Sequence, residues 1–173
     1  MTQLKKQIGF SLVEVMVVVA IIGITASIAM PSYRAWIANT KVRTATESIL
    51  NGIQKARSEA LMRNTAVSFT LGDNSSWTVS CITATTCPDL TGGVVEARSS
   101  DEGGTQDIAI NSGGNTSLVF TNLGIRSTTA ANPITTVDVS LTGADRPLRV
   151  TVGGGGNVRM CDPNTGVTDP RRC

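Results

Sequence analysis

The sequence predicts an α+β fold in which one long N-terminal helix lies on a mostly antiparallel β-sheet. Three observations carry that expectation. From Phe10 to Met30 the chain is apolar except for one charge, Glu14. A helical spacing of three or four then continues through Val42, Ala45, Ile49, Ile53, Ala56 and Ala60. Beyond residue 65, apolar residues alternate with polar ones in short segments divided by glycine-rich turns. Strands following a single long helix are the pattern of an α+β domain.

Residues 1–9, with Lys5 and Lys6, read as a basic leader. Residues 10–31 are long enough to cross about 30 Å of hydrocarbon at about 1.5 Å per residue. Glu14 is the anomaly, because a lone carboxylate at the centre of a spanning helix costs about 2.5–3.5 kcal/mol and marks function. Residues 32–65 read as an amphipathic continuation, with Lys41, Arg43, Glu47, Gln54, Lys55 and Arg57 off the apolar stripe. Pro31 lacks an amide donor and is expected to kink or loosen the helix, with Gly23 a second soft point. The whole path to Met62 measures about 80 Å.

Residues 66–173 form the head. Its strands are expected at Val67, Phe69 and Leu71; Trp77, Val79 and Cys81; Ile108 and Ile110; Leu118 and Phe120; Val137, Val139 and Leu141; and Leu148, Val150 and Val152. Each presents one apolar face. Turns fall at Gly72-Asp73-Asn74, Gly92-Gly93, Gly103-Gly104, Gly113-Gly114, Asn122-Leu123-Gly124 and Gly143-Ala144-Asp145, and Ser127 to Pro133 reads as a mobile loop.

Cys81, Cys87, Cys161 and Cys173 follow an export segment, which favours disulfides. Of three connectivities, Cys81 with Cys87 and Cys161 with Cys173 is favoured, because each pair brackets a Pro- or Gly-containing loop. Chain entropy assigns such closures about 2.5 and 3 kcal/mol. Zinc is the weaker alternative, since there is no histidine and neither spacing is that of a zinc knuckle. The same lack of histidine, with no nucleophile elbow and no Gly-Lys-Ser/Thr after Gly153–Gly156, argues against an enzyme. No cofactor or metal is expected.

The formal charge of +2 overstates the balance, because without Lys5 and Lys6 there are 13 basic and 13 acidic side chains. These are segregated: residues 34–63 hold six basic and two acidic, 64–145 two and eight, and 146–173 five and two. Such asymmetry suits subunit docking or an anionic partner, or simply solvated faces.

The opening stretch has three readings. A secretory signal peptide would be cut after Ser27-Ile28-Ala29 and leave Met30 as the first residue. A signal anchor would not be cut. The third rests on Gly9-Phe10-Ser11-Leu12-Val13-Glu14 behind a short basic leader, which resembles a type IV prepilin. The resemblance implies cleavage by the prepilin peptidase between Gly9 and Phe10, N-methylation of Phe10, and a stalk retained on the mature protein. Methylation keeps the amine charged. Glu14 then becomes a register device in assembly, because a misplaced subunit would leave a poorly solvated charge unpaired at about 3–5 kcal/mol.

Ala56-Arg57-Ser58-Glu59-Ala60, followed by Arg63-Asn64, is similar to the end of the long helix in the GspH/FimT family of minor pilins and pseudopilins. Gly156-Asn157-Val158-Arg159-Met160-Cys161-Asp162-Pro163 resembles that family's final strand and disulfide-closed tail. The resemblance implies a pilin-like fold and a structural subunit working with other major and minor pilins to prime or cap a pilus. It also implies a single-pass place in the bacterial inner membrane, head in the periplasm, before entry into the extracellular pilus. Some FimT members bind double-stranded DNA for natural transformation through Gly-Arg-x-Arg. Here Gly156 and Arg159 match, while Asn157 stands at the first arginine. Arg159, Arg171 and Arg172, extended by Arg146 and Arg149, form the candidate phosphate-binding set. A type II secretion pseudopilin is the remaining alternative.

Overall fold

The computed structural model describes residues 9–128 and 132–173. The leader lysines, Lys5 and Lys6, and the centre of the expected Ser127–Pro133 loop lie outside the described residues.

Helix α1 runs from Leu12 to Arg63 without interruption, 52 residues and about 78 Å. Pro31, where a kink or loosening is expected, lies within this continuous helix. Pro31 withholds one amide bond but sits inside a helix whose remaining ladder continues on both sides. Asn64 ends the helix in the left-handed region (φ 50°), and its N–H returns to the carbonyls of Ala60 and Leu61. That is the geometry asparagine tolerates better than other non-glycine residues.

Eight strands follow: β1 (Val67–Leu71), β2 (Trp77–Cys81), β3 (Val94–Arg98), β4 (Ala109–Asn111), β5 (Ser117–Phe120), β6 (Thr136–Ser140), β7 (Leu148–Val152) and β8 (Val158–Cys161). They form two sheets rather than the single one expected, in the orders β3-β2-β1-β5 and β4-β6-β7-β8, with every strand pairing antiparallel. The chain passes between the sheets three times, from β3 to β4, from β4 to β5 and from β5 to β6, so β5 returns to pair with β1.

The second half of α1 packs on both sheets, touching β1, β2 and β5 of the first and β6, β7 and β8 of the second. Val42, Ala45, Ile49, Ile53, Ala56 and Ala60 are fully buried against Val67, Phe69, Val79, Leu118, Phe120, Val137, Val139 and Val150. A helix can cover two sheets only if its contact face is narrow and small, which explains the alanines and Gly52 on it. Gly52 lies under the rings of Trp77 and Phe69, and a Cβ there would come within 2.7 Å of Trp77. Trp77 cannot swing away freely, because its indole N–H donates to Ser48 Oγ at 2.9 Å.

Cys81 is joined to Cys87 and Cys161 to Cys173. With all four sulfurs oxidised in pairs, none is available as a thiolate ligand, and the described residues contain no cluster that would hold a metal.

Gly52→Ala tests the helix–sheet contact. Alanine gains about 1 kcal/mol of helix propensity, but overpacking beneath a tethered tryptophan costs about 1–3 kcal/mol. Urea denaturation of the head is expected to show a net loss of stability.

Candidate functional site

Residues 9–34 are exposed throughout and touch no part of the head. Gly9, Phe10 and Ser11 precede the helix, and Ser11 caps it, its Oγ accepting the N–H of Glu14 at 3.2 Å. Ser11 and Glu14 thus carry the spacing of a capping box, of which the structure shows the half made by Ser11, a local role for Ser11 that the sequence reading missed although Ser-x-x-Glu was there to see. The hydroxyls of Thr25 and Ser27 fold back onto carbonyls of the preceding turn, at 2.9 Å to Ile21 and 2.7 Å to Ile24. Every polar side chain between Val15 and Met30 is thereby satisfied within the helix. What remains outside is an apolar surface far larger than an isolated soluble protein tolerates, with one carboxylate near its start.

Two of the five candidate arginines, Arg149 and Arg171, are engaged by carboxylates. Val150 and Val152 point at the core, which turns Arg149 and Thr151 outward, and the register sets Arg159 opposite Thr151. Arg149 is held by Asp138 of β6, with Nη2 donating to Oδ2 at 2.9 Å, and this hydrogen bond raises its pKa. Arg171 is held by Asp169 at 2.7 Å, and that bond lowers the Asp169 carboxyl to about 2. Arg159 Nη2 donates to the carbonyls of Arg172 (3.2 Å) and Cys173 (3.3 Å), laying it across the disulfide-closed tail. Arg146 sits across a cleft that Arg171 also lines, on the turn between β6 and β7. Among the described residues Arg146, Arg159 and Arg172 form no ion pair, so the expected five-fold cationic set is reduced to three by Asp138 and Asp169.

The motif closing α1 is structural. Glu59 is buried and receives Lys55 at 3.1 Å and Arg63 at 2.7 Å, and Arg63 also grips Asp89 at 2.8 Å. Burial opposes the Glu59 charge, but the hydrogen bonds from Arg63 and Lys55 outweigh it and hold the carboxyl below its ordinary value. Arg57 Nε donates to the Gly124 carbonyl at 2.9 Å. Gly156 packs on the same carbonyl: at φ 79° a Cβ there would stand 2.0 Å from the Gly124 oxygen and 3.1 Å from Arg57 Nε.

An apolar helix that is bare in its first half and cores a β head in its second defines a stalked structural subunit. Residues 45–156 match the family model described as Type II transport protein GspH, and residues 4–30 match the prokaryotic N-terminal methylation motif. The chain belongs to the GspH family, within the type IV pilins and pseudopilins, whose members are structural subunits rather than enzymes. A fimbrial protein of Pseudomonas aeruginosa is 42% identical over 59 residues, 34% of this chain and 38% of that protein. A type IV major fimbrial protein FimA of Dichelobacter nodosus is 40% identical over 90 residues, 46% of this chain and 56% of that one. The chain thus spans about four- to six-tenths of the length of these curated relatives. The crystal structure of the type IV minor pilin FimU of Pseudomonas aeruginosa shares the fold, with a TM-score of 0.53 at 17% identity over 73% of this chain and 95% of FimU.

The folded pKa of Glu59 lies below its ordinary value of 4.5. Its contribution is therefore complete above that value and is lost as pH falls through the lower, folded one. Glu59→Gln is expected to cost about 1–2 kcal/mol near neutrality and to flatten the decline in stability below that ordinary value. Denaturation of the head at a series of pH values measures both.

Proposed function

We propose that the chain is a minor type IV pilin that waits in the inner membrane and is then drawn into a pilus, in its priming or tip complex. The observation carrying this reading is the bare stalk: about 25 residues of apolar helix, continuous with the core of the head, with Glu14 as their only carboxylate. A signal peptide cut before Met30 would discard the stalk, whereas in this reading the stalk stays joined to the half of α1 that packs in the head. In this reading the prepilin peptidase cuts after Gly9, Phe10 is N-methylated, and Glu14 pairs with the terminal ammonium of a neighbouring pilin.

Mass spectrometry of the mature protein is expected to show a methylated Phe10 at its N-terminus; a start at Met30 would sink the proposal. Because Glu14 also occupies a capping-box position, Glu14→Gln is the discriminating variant: glutamine serves a cap equally well and removes only the charge. It is expected to leave the subunit stable in the membrane and to lower its recovery in sheared pili at least tenfold. Normal recovery would remove the pairing.

A second reading, capture of double-stranded DNA, is supported by the way Arg159 and the C-terminal Arg171–Cys173 segment are drawn together. With three unpaired arginines, binding should fall with salt at a log–log slope of about −2.7, against about −4.5 for all five. Gel retardation of duplex DNA by wild type and by Arg159→Ala/Arg171→Ala/Arg172→Ala tests it, and no retardation at low salt rejects it. A type II secretion pseudopilin remains the alternative use of the same scaffold, distinguished by whether deletion abolishes piliation or secretion.

A further inference from the structure

On the first sheet, alternation buries Val67, Phe69, Val79, Leu118 and Phe120 toward α1 and turns their neighbours outward. The strand registers set those neighbours in two rows across four strands. Val94, Ser80, Ser68 and Val119 form one row, and Ala97, Thr78, Thr70 and Ser117 the other. The bulge between Val79 and Ser80 lets Val95 pack against the core and leaves Val94 outside. Glu96 and Arg98 stand opposite Val79 and Trp77, so the two charges of β3 fall on the inner side. None of the eight outer residues is charged or larger than valine. About 25–35% of a soluble surface is charged, so about two or three charges would be ordinary on eight positions. The uncharged surface continues past the rows, where Asn64, Ala66, Ile82, Thr121 and Asn122 line a hollow of about 650 Å³.

The strands of this sheet run along α1 rather than across it. β1 begins three residues after Asn64, and at its far end Leu71 pairs with Trp77, whose indole reaches Ser48, 16 residues and about 24 Å lower on the helix. A two-fold axis parallel to the strands therefore runs close to the stalk direction, and it lets two copies meet face to face with both stalks pointing the same way. Set between β1 and β2, that axis brings Val94 opposite the second copy's Val119, Ser80 opposite its Ser68, Thr78 opposite its Thr70 and Ala97 opposite its Ser117. Like meets like at nearly every position, the small side chains suit a sheet spacing of about 10 Å, and no like charges are brought together. Pairing of two β3 edges is different: its two-fold lies along the sheet normal and would point the stalks in opposite directions, which one membrane excludes.

We propose that this face pairs two copies of the chain while both wait in the membrane. The proposal rests on the reading of the stalk as membrane-inserted, because a shared bilayer is what sets two heads side by side. The rows cover about 300 Å² per subunit at ordinary strand spacing and rise, against about 800 Å² per partner in a stable soluble complex. Pairing therefore depends on confinement of both stalks to one bilayer, which raises the effective concentration of each head for the other. While paired, each face is closed to other subunits.

The test uses the full processed chain reconstituted into phosphatidylglycerol–phosphatidylethanolamine vesicles, with donor or acceptor dye on a cysteine replacing Ser58, which is exposed on α1 across the sheet from the face. The four native cysteines are paired, so the added thiol alone takes the dye. Energy transfer between copies is expected to exceed that of random mixing at least threefold. Thr70 is exposed and lies beside the axis, so Thr70→Lys places two like charges against each other and is expected to return transfer to the random value. Thr70→Glu is expected to do the same, and an equal mixture of the two variants to restore transfer at least twofold. Random transfer by the wild type, with the chain still floating with the vesicles, overturns the pairing and leaves the inserted stalk standing, whereas loss of flotation overturns the stalk reading and the pairing with it. Transfer indifferent to Thr70→Lys, or not restored by the mixture, overturns this face as the contact. Transfer seen only when other pilins are present reassigns the face to a different subunit and likewise overturns the proposal.

Discussion

Burial of the narrow stripe on α1 between two sheets is the interaction on which the rest of the molecule depends. Val42, Ile49 and Ile53 each contribute about 1.5–3 kcal/mol on burial, and the alanines and Gly52 between them let two β layers approach one helix. Helix growth is cooperative, so a packed second half is a ready nucleus for the unpacked first half. The stalk therefore needs no contact with its own head to be helical. That separation leaves its whole circumference uncovered by the rest of the molecule.

The charge segregation along the chain also has a physical account. Lys41 meets Asp107, Arg63 meets Asp89 and Arg149 meets Asp138, so each basic flank is tied to the acidic middle of the same molecule. Exposed pairs of this kind are worth at most about 1 kcal/mol apiece, and their main effect is on where segments dock. Much of the asymmetry that suggested an external anionic partner is spent internally. What is left over, at Arg146, Arg159 and Arg172, is smaller and more local.

Legibility followed the range of the interactions. The α1 stripe and strands β1, β2, β5, β6 and β7 were visible because period 3.6 and period 2 are written in neighbouring residues. Strand β3 was not, because Val94-Val95-Glu96-Ala97-Arg98 has no clean alternation, lies on an exposed edge and is offset by a bulge at Val79/Ser80. The division into two sheets was equally hidden, since alternation reveals which face is apolar and not which strand is the neighbour. Proline at position 31 does not end the helix, because one missing amide bond is a local penalty that the surrounding ladder bridges. In the candidate site, Glu14 stood out as a charge in apolar surroundings, whereas the Arg57–Gly124 contact joins residues 67 apart and leaves no local trace.

Gly156 changes what a match to the tail motif means. The glycine lies against the Gly124 carbonyl, on which the Arg57 guanidinium also closes, so helix, loop and hairpin are keyed together at a spot with no space for a methyl group. Gly156 thus serves to lock the domain shut, independent of any nucleic acid. A side chain at this position would wedge the helix, loop and hairpin apart, so its effects would be those of an opened head whatever property was measured.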